Sequence, residues 1–164
     1  MTIIVNAIFS FIAALVLHEL GHFVAARLCG VPIKQAGLGW GPKLWGVRAG
    51  NVDYQLRALP VGAYIKMDMV ELQTRPLLQQ LFVLGAGIGV NLLLCALTWG
   101  SLFSSLNLAL AIGNIVPFYQ LDGWKSAMVI SRRIFGRSAF AEWALTIGGG
   151  AIALSVFIRA FLNF

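Results

Sequence analysis

Apolar residues fall along this chain in four long blocks, at about 2–26, 77–103, 106–131 and 138–162, and each block is long enough for a helix to cross a hydrocarbon core that needs about 20 residues. The second is the clearest, because Leu81 to Phe103 carries no charge. The third is interrupted by Gly113, Pro117, Asp122 and Gly123, which predicts a broken helix. Broken backbone at membrane depth requires surrounding protein or a water-filled cavity. Between the first two blocks the pattern changes. "KLWGVRAGNVDYQLRA" alternates around Gly50-Asn51, a hairpin signal, and "IKQAGLGW" and "GAYIK" flank it with β-like composition. The predicted fold is an α-helical polytopic membrane protein. It has about four transmembrane helices, one domain over 1–164, and a small membrane-associated β-sheet at about 30–70 between the first and second helices.

Composition agrees, with 59% hydrophobic and 11% charged residues, far from the soluble balance of about 25% charged. The net charge of +6 therefore does not call for nucleic acid and is read as a topology signal. Seven Lys/Arg from Arg27 to Arg75 make the 27–76 segment cytoplasmic, and Arg132, Arg133 and Arg137 put the loop between spans three and four on the same side. Ser104 and Ser105 mark the uncharged hairpin opposite. Both termini are then external, with Arg159 snorkelling outward. The first Lys or Arg is Arg27, so no basic region precedes the first span and it is expected to be retained. Cys29 and Cys95 have no ligand spacing. Trp40, Trp45, Tyr54 and Tyr64 suit either an interfacial belt or ordinary packing.

The first span contains "HELGH". His18 and His22 lie about 40° apart on a helix and one turn along it, so both imidazoles can grip one ion. Glu19, rotated by about 100°, reaches a water beside the ion rather than the ion itself. This is the HExxH arrangement, in which zinc acidifies a water and the glutamate takes its proton. On a soluble surface helix the same letters are often unremarkable. Inside an apolar span, however, two histidines and a glutamate need partners, and a divalent cation satisfies them together.

Two histidines leave a catalytic zinc one protein ligand short of the usual three. Two carboxylates lie in apolar surroundings, Asp122 and Glu142. Asp122 belongs to "GNIVPFYQLDGWK", where Pro117 lacks an amide proton and clashes with the carbonyl of Gly113. Such a deformed stretch lets Asp122 turn inward, and Asn114 shares it. Glu142 stands near the start of span four, where an interfacial glutamate is ordinary.

"HELGH" paired with "NIVPFYQLDG" resembles the site-2 protease family of intramembrane zinc metalloproteases, in its bacterial form and without a PDZ-like insertion between spans two and three. "LPVGAYIKM" resembles a strand of that branch, with Ala63 in place of a second glycine. "LGAGIGVN" is similar to its AGPxxN motif, with Ile88 in place of the proline. The resemblance covers about residues 5–130. It implies one zinc ion held by His18, His22 and Asp122, Glu19 as catalytic base, and Asn114 as a substrate or oxyanion contact. Asn91 is expected to pack or hydrogen-bond across helices.

The expected activity is endopeptidase cleavage within the transmembrane segment of a single-span membrane protein, in the bacterial cell membrane, with the site towards the cytoplasmic side. Two alternatives keep the fold, an inactive membrane scaffold and a metal-binding transport module. Transport requires exchangeable metal and a through-path, whereas hydrolysis requires Glu19.

Overall fold

The computed structural model describes residues 2–162. The first helix, α1 (Thr2–Leu28), is apolar over most of its length and ends because Gly30 adopts φ 65°, a left-handed value that a Cβ disfavours. There the Gly30 amide donates to the Arg27 carbonyl (3.1 Å) and the Val31 amide to Ala26 (2.8 Å), closing the helix end. Pro32 then directs the chain into β1 (Ile33–Ala49), which turns at Gly50 and Asn51 into β2 (Val52–Met67).

This antiparallel hairpin is the small sheet expected from the alternation, and its two long strands fold back on themselves. Gln35 to Leu38 pair with Asp53 to Leu56, and Ala36 to Leu38 pair also with Ala63 to Ile65. The first half of β1 is therefore interior, and the segments around 43–49 and 63–67 form the margins. Gly39, at φ 90°, makes the bend possible, since a Cβ there would meet the Leu59 carbonyl.

A short helix, α2 (Met69–Thr74), follows. Its N-cap Asp68 accepts from the amides of Val70 (3.0 Å) and Glu71 (3.2 Å) and pairs with Lys34 (2.8 Å), tying the helix to the start of β1. Next come α3 (Leu77–Leu97), α4 (Leu102–Ile115), α5 (Asp122–Phe135) and α6 (Ala139–Leu162). Ala25, Ala26, Val31, Ile33, Val52, Leu72, Val83, Leu84 and Val129 form one buried cluster. It joins the end of α1 to the hairpin, α2, α3 and α5, just beyond the histidines.

Among the described residues, Ile4–Leu28 and Leu77–Leu97 are long and apolar enough to cross a membrane, by length and composition. The exposed surface is apolar well beyond them, with Leu78, Trp99 and Phe140 each at least 80% accessible. Inside lie His18, His22, Asn91, Asn107 and Asp122, none above 5%. Apolar side chains outside and polar ones within is the distribution that a lipid solvent favours.

Two expectations change, and of the two uses expected of Asn91 the structure shows packing. The third block is not one helix over 106–131. Helix α4 stops at Ile115, one residue short of Val116, because the residue before Pro117 is disfavoured in helical conformation. The chain then breaks over 116–121 and restarts as an amphipathic α5. Ser104 and Ser105 do not form the hairpin between α3 and α4. The turn is at Thr98 to Ser101, where Gly100 has φ 80° and Ser101 caps α4, while Ser104 is buried and donates to the Cys95 carbonyl (2.8 Å). Asn91 is fully buried, yet neither of its side-chain polar atoms has a hydrogen-bond partner among the described residues. With Ile88 in place of proline, α3 runs unbroken through this stretch.

The triple glycine of α6 also finds a place. A Cβ on Gly149 would collide with the Pro117 carbonyl, whereas Gly148 and Gly150 face open space. Gly149 thus lets α6 seat directly against the break between α4 and α5.

Candidate metal centre

Helices α1 and α3 run antiparallel in close contact. Gly21 faces Ala86 and Val90, and a Cβ there would lie 2.9 Å from the Ala86 carbonyl oxygen and 2.8 Å from Val90 Cγ2. One turn away, His22 Nδ1 lies 2.8 Å from the Val83 carbonyl. A carbonyl only accepts, so Nδ1 carries the proton and Nε2 presents its lone pair. Gly87 sits opposite both rings. A Cβ on it would stand 2.5 Å from His22 Nε2 and 2.6 Å from His18 Nε2. The space in front of the two imidazoles therefore exists only because α3 has no side chain at that position.

Asp122, the first residue of α5, reaches into that space from the other end of the sequence. Its Oδ2 lies 3.1 Å from His18 Nε2 and 2.9 Å from His22 Nε2, and the two Nε2 atoms are 3.3 Å apart. An ion held tetrahedrally at about 2.0–2.1 Å would set its donors about 3.3 Å apart, so the three atoms are spaced nearly as one face of a zinc-sized coordination tetrahedron. All three residues are buried. Two neutral imidazoles and one carboxylate are also the donor types zinc takes. The residues fit the ion.

The other Asp122 oxygen is held as well. Lys125 Nζ donates to Oδ1 at 3.2 Å, three residues along the same helix, which turns Oδ2 to the histidines. Asp122 can approach because Gly123 lies against the end of α4, where a Cβ would collide with the Ile115 carbonyl.

Glu19 follows His18 directly on α1. With Val16, Leu20 and Phe23 it lines a groove of about 600 Å³ whose far wall is the sheet, including Ala63, Tyr64 and Ile65. Glu142 is elsewhere, paired with Arg132 Nε at 2.8 Å. Asn114 donates to the Leu110 carbonyl at 3.0 Å within its own helix, and its backbone, not its amide, borders Gly123.

Of the residues selected from sequence, the structure thus gathers His18, His22 and Asp122 and sets Glu19 beside them. Val83, Gly87 and Lys125 were not anticipated. Lys125 had a signal in its i, i+3 spacing from Asp122. Gly87 had none, being one of several small residues in "LGAGIGVN".

Two histidines and one carboxylate brought together, with a glutamate next to the first histidine, are a donor set suited to a divalent metal ion. The sequence model of Peptidase family M50 matches residues 6–105, and the chain belongs to that family. The matched stretch contains His18, Glu19, His22 and Gly87 but stops before Asp122, whose place rests on the geometry above. A Clostridium perfringens protein provisionally named a zinc metalloprotease is 35% identical over 123 residues, 70% of this chain and 37% of that protein. A similarly named protein of Clostridium acetobutylicum is 36% identical over 121 residues, 68% and 36% of the two chains. A chloroplast membrane metalloprotease of Arabidopsis thaliana is 33% identical over 102 residues, 55% of this chain and 23% of that one. The resemblance to site-2 proteases holds at the level of the family, and this chain spans little more than a third of its clostridial relatives.

Proposed function

We propose that this chain is the catalytic core of an intramembrane zinc endopeptidase that cuts the transmembrane segments of single-span membrane proteins. The observation that carries the reading is the convergence of His18, His22 and Asp122 with Glu19 turned to an adjoining groove. Zinc bound there supplies Lewis acidity towards a water and a peptide carbonyl oxygen. Glu19 takes the proton from the attacking water and returns it to the departing amine. Asp122 and Lys125 hold the ligand set in register, and Asn114 stands at the end of α4 where a rotated side chain would meet the substrate backbone or its oxyanion.

A helical substrate hides its carbonyls, so the scissile stretch must be extended. The 63–67 margin of the sheet supports this role. It lies near α1, with Leu15 3.9 Å from a Cβ placed on Gly62, and Ala63 to Ile65 share the groove with Glu19. A substrate added there as a strand gains backbone hydrogen bonds beside the base. The positive-inside arrangement, with both termini external and the site towards the cytoplasmic side of a bacterial cell membrane, belongs to the same reading, as does a crossing role for α4–α5 and α6.

The test is zinc content and cleavage of a reporter transmembrane substrate for wild type, Glu19→Gln and His18→Ala. Glu19→Gln should retain zinc and lose cleavage by at least about 100-fold, as expected when a general base is removed. His18→Ala should lose both. Normal cleavage by Glu19→Gln would sink the mechanism, and freely exchanging metal with a through-path would favour transport.

A further inference from the structure

A second cavity of about 600 Å³ opens where the link between α2 and α3 faces the C-terminal end of α5. Arg75, Arg132, Arg133 and Arg137 all line it. Two carboxylates answer these four guanidinium groups. Glu71 accepts from Arg75 Nη2 at 2.7 Å, and Glu142 from Arg132 Nε at 2.8 Å. Arg133 and Arg137 appear in no ion pair among the described residues, which leaves two positive charges in excess. Arg75 Nε is buried with no hydrogen-bond partner.

Ordinary surface arginines spread apart or pair. Four converging on one concavity, half of them uncompensated, repel one another unless an anion joins them. The planar guanidinium fork matches the oxygen spacing of phosphate and binds it with two parallel hydrogen bonds. We propose that this cavity is a binding site for a phosphate-bearing anion.

Its depth indicates where the phosphate comes from. Arg75 precedes by two residues the start of α3, a 21-residue apolar helix long enough to cross a bilayer, and Arg137 lies in the turn between α5 and α6. The cavity therefore sits at the boundary where lipid headgroups present phosphodiesters, and soluble phosphates reach it from the aqueous side. A bound phosphate has a mechanical consequence. It bridges the start of α3 to the last turn of α5, the helix whose first residue is Asp122. The inference is independent of the proteolytic reading, since it concerns binding at the far end of α5.

The experiment is native mass spectrometry of the purified full chain in detergent, titrated with phosphatidylglycerol, phosphatidylcholine or inorganic pyrophosphate. Wild type should retain phosphatidylglycerol over phosphatidylcholine. The double variant Arg133→Gln/Arg137→Gln should weaken retention by at least about tenfold, as loss of charge-assisted hydrogen bonds implies. Arg48→Gln/Lys66→Gln, which removes the same charge from the exposed face of the hairpin, should change it by less than about twofold. Retention of phosphatidylglycerol without competition by pyrophosphate assigns the site to a headgroup, and displacement or sole binding by pyrophosphate assigns it to a soluble phosphate. Equal retention of the two lipids with no pyrophosphate bound, or equal binding by wild type and Arg133→Gln/Arg137→Gln, overturns the proposal.

Discussion

The centre is built from two unlike halves. Helices α1 and α3 are continuous, and their contribution, two histidines facing a glycine, follows from helical spacing and close backbone approach. The α4–α5 half is interrupted by Pro117 and contributes one carboxylate from the first residue of a new helix. The comparison teaches that an unbroken helix pair supplies a fixed ligand spacing, while a break supplies reach. Neither half holds enough donors alone. Substitutions in each should therefore fail differently, the broken half losing a ligand and the continuous half losing room.

The largest effect is expected at Asp122. Asp122→Ala should lower zinc affinity by more than about 100-fold, above the usual loss from supporting residues, while Glu142→Ala leaves it unchanged by competition against a chromophoric chelator. The reverse outcome would transfer the third ligand to α6. Next comes Gly87→Ala, which crowds both imidazoles. Overpacking of about 1–3 kcal/mol corresponds to roughly a 5- to 150-fold loss of zinc affinity. Gly85→Ala, whose Cβ would meet nothing within 4 Å, is the matched control and should bind zinc normally. If both variants behave alike, the close approach of α3 is not what shapes the site.

Lys125→Met should be milder, about tenfold weaker in zinc affinity, because the carboxylate remains and only its orientation is freed. Lys125→Arg should recover part of the loss, an outcome that mere bulk at this position would not produce. The smallest effect lies outside both halves. The Lys34 ammonium and the backbone amides of α2 hold the Asp68 carboxyl below its usual range. Its folded pKa is depressed, so its contribution is present above the unfolded value near 3.8 and is lost as pH falls through the folded one. Hydrogen-exchange protection factors at Val70 and Glu71, taken relative to the intrinsic rate at each pH, should fall in wild type as pH drops below the unfolded value near 3.8, and should be low at every pH in Asp68→Ala.

Much of the continuous half was legible in the sequence. Spacing alone put His18 and His22 on one face, and the Gly50-Asn51 signal located a real turn. The broken half was legible as a break, because proline chemistry is local, but not in its geometry. Whether Asp122 or Glu142 meets the histidines depends on how far α5 swings back, and no periodicity encodes that. Gly87 escaped notice because a glycine reports its importance only through what stands opposite. The turn at Thr98 to Ser101 was hidden within an apolar run, where hydropathy drew attention away from the glycine and the capping serine. Arg132, Arg133 and Arg137 were read as an address label, and their convergence with Arg75 became visible only once α3 and α5 were side by side.

The separation of 104 residues between His18 and Asp122 has a consequence for biogenesis. A chain still being synthesised carries both histidines and the glutamate early, yet lacks a third donor until the segment after Pro117 has been made and packed. The donor set is therefore completed last, by the packing of α5 against helices already made.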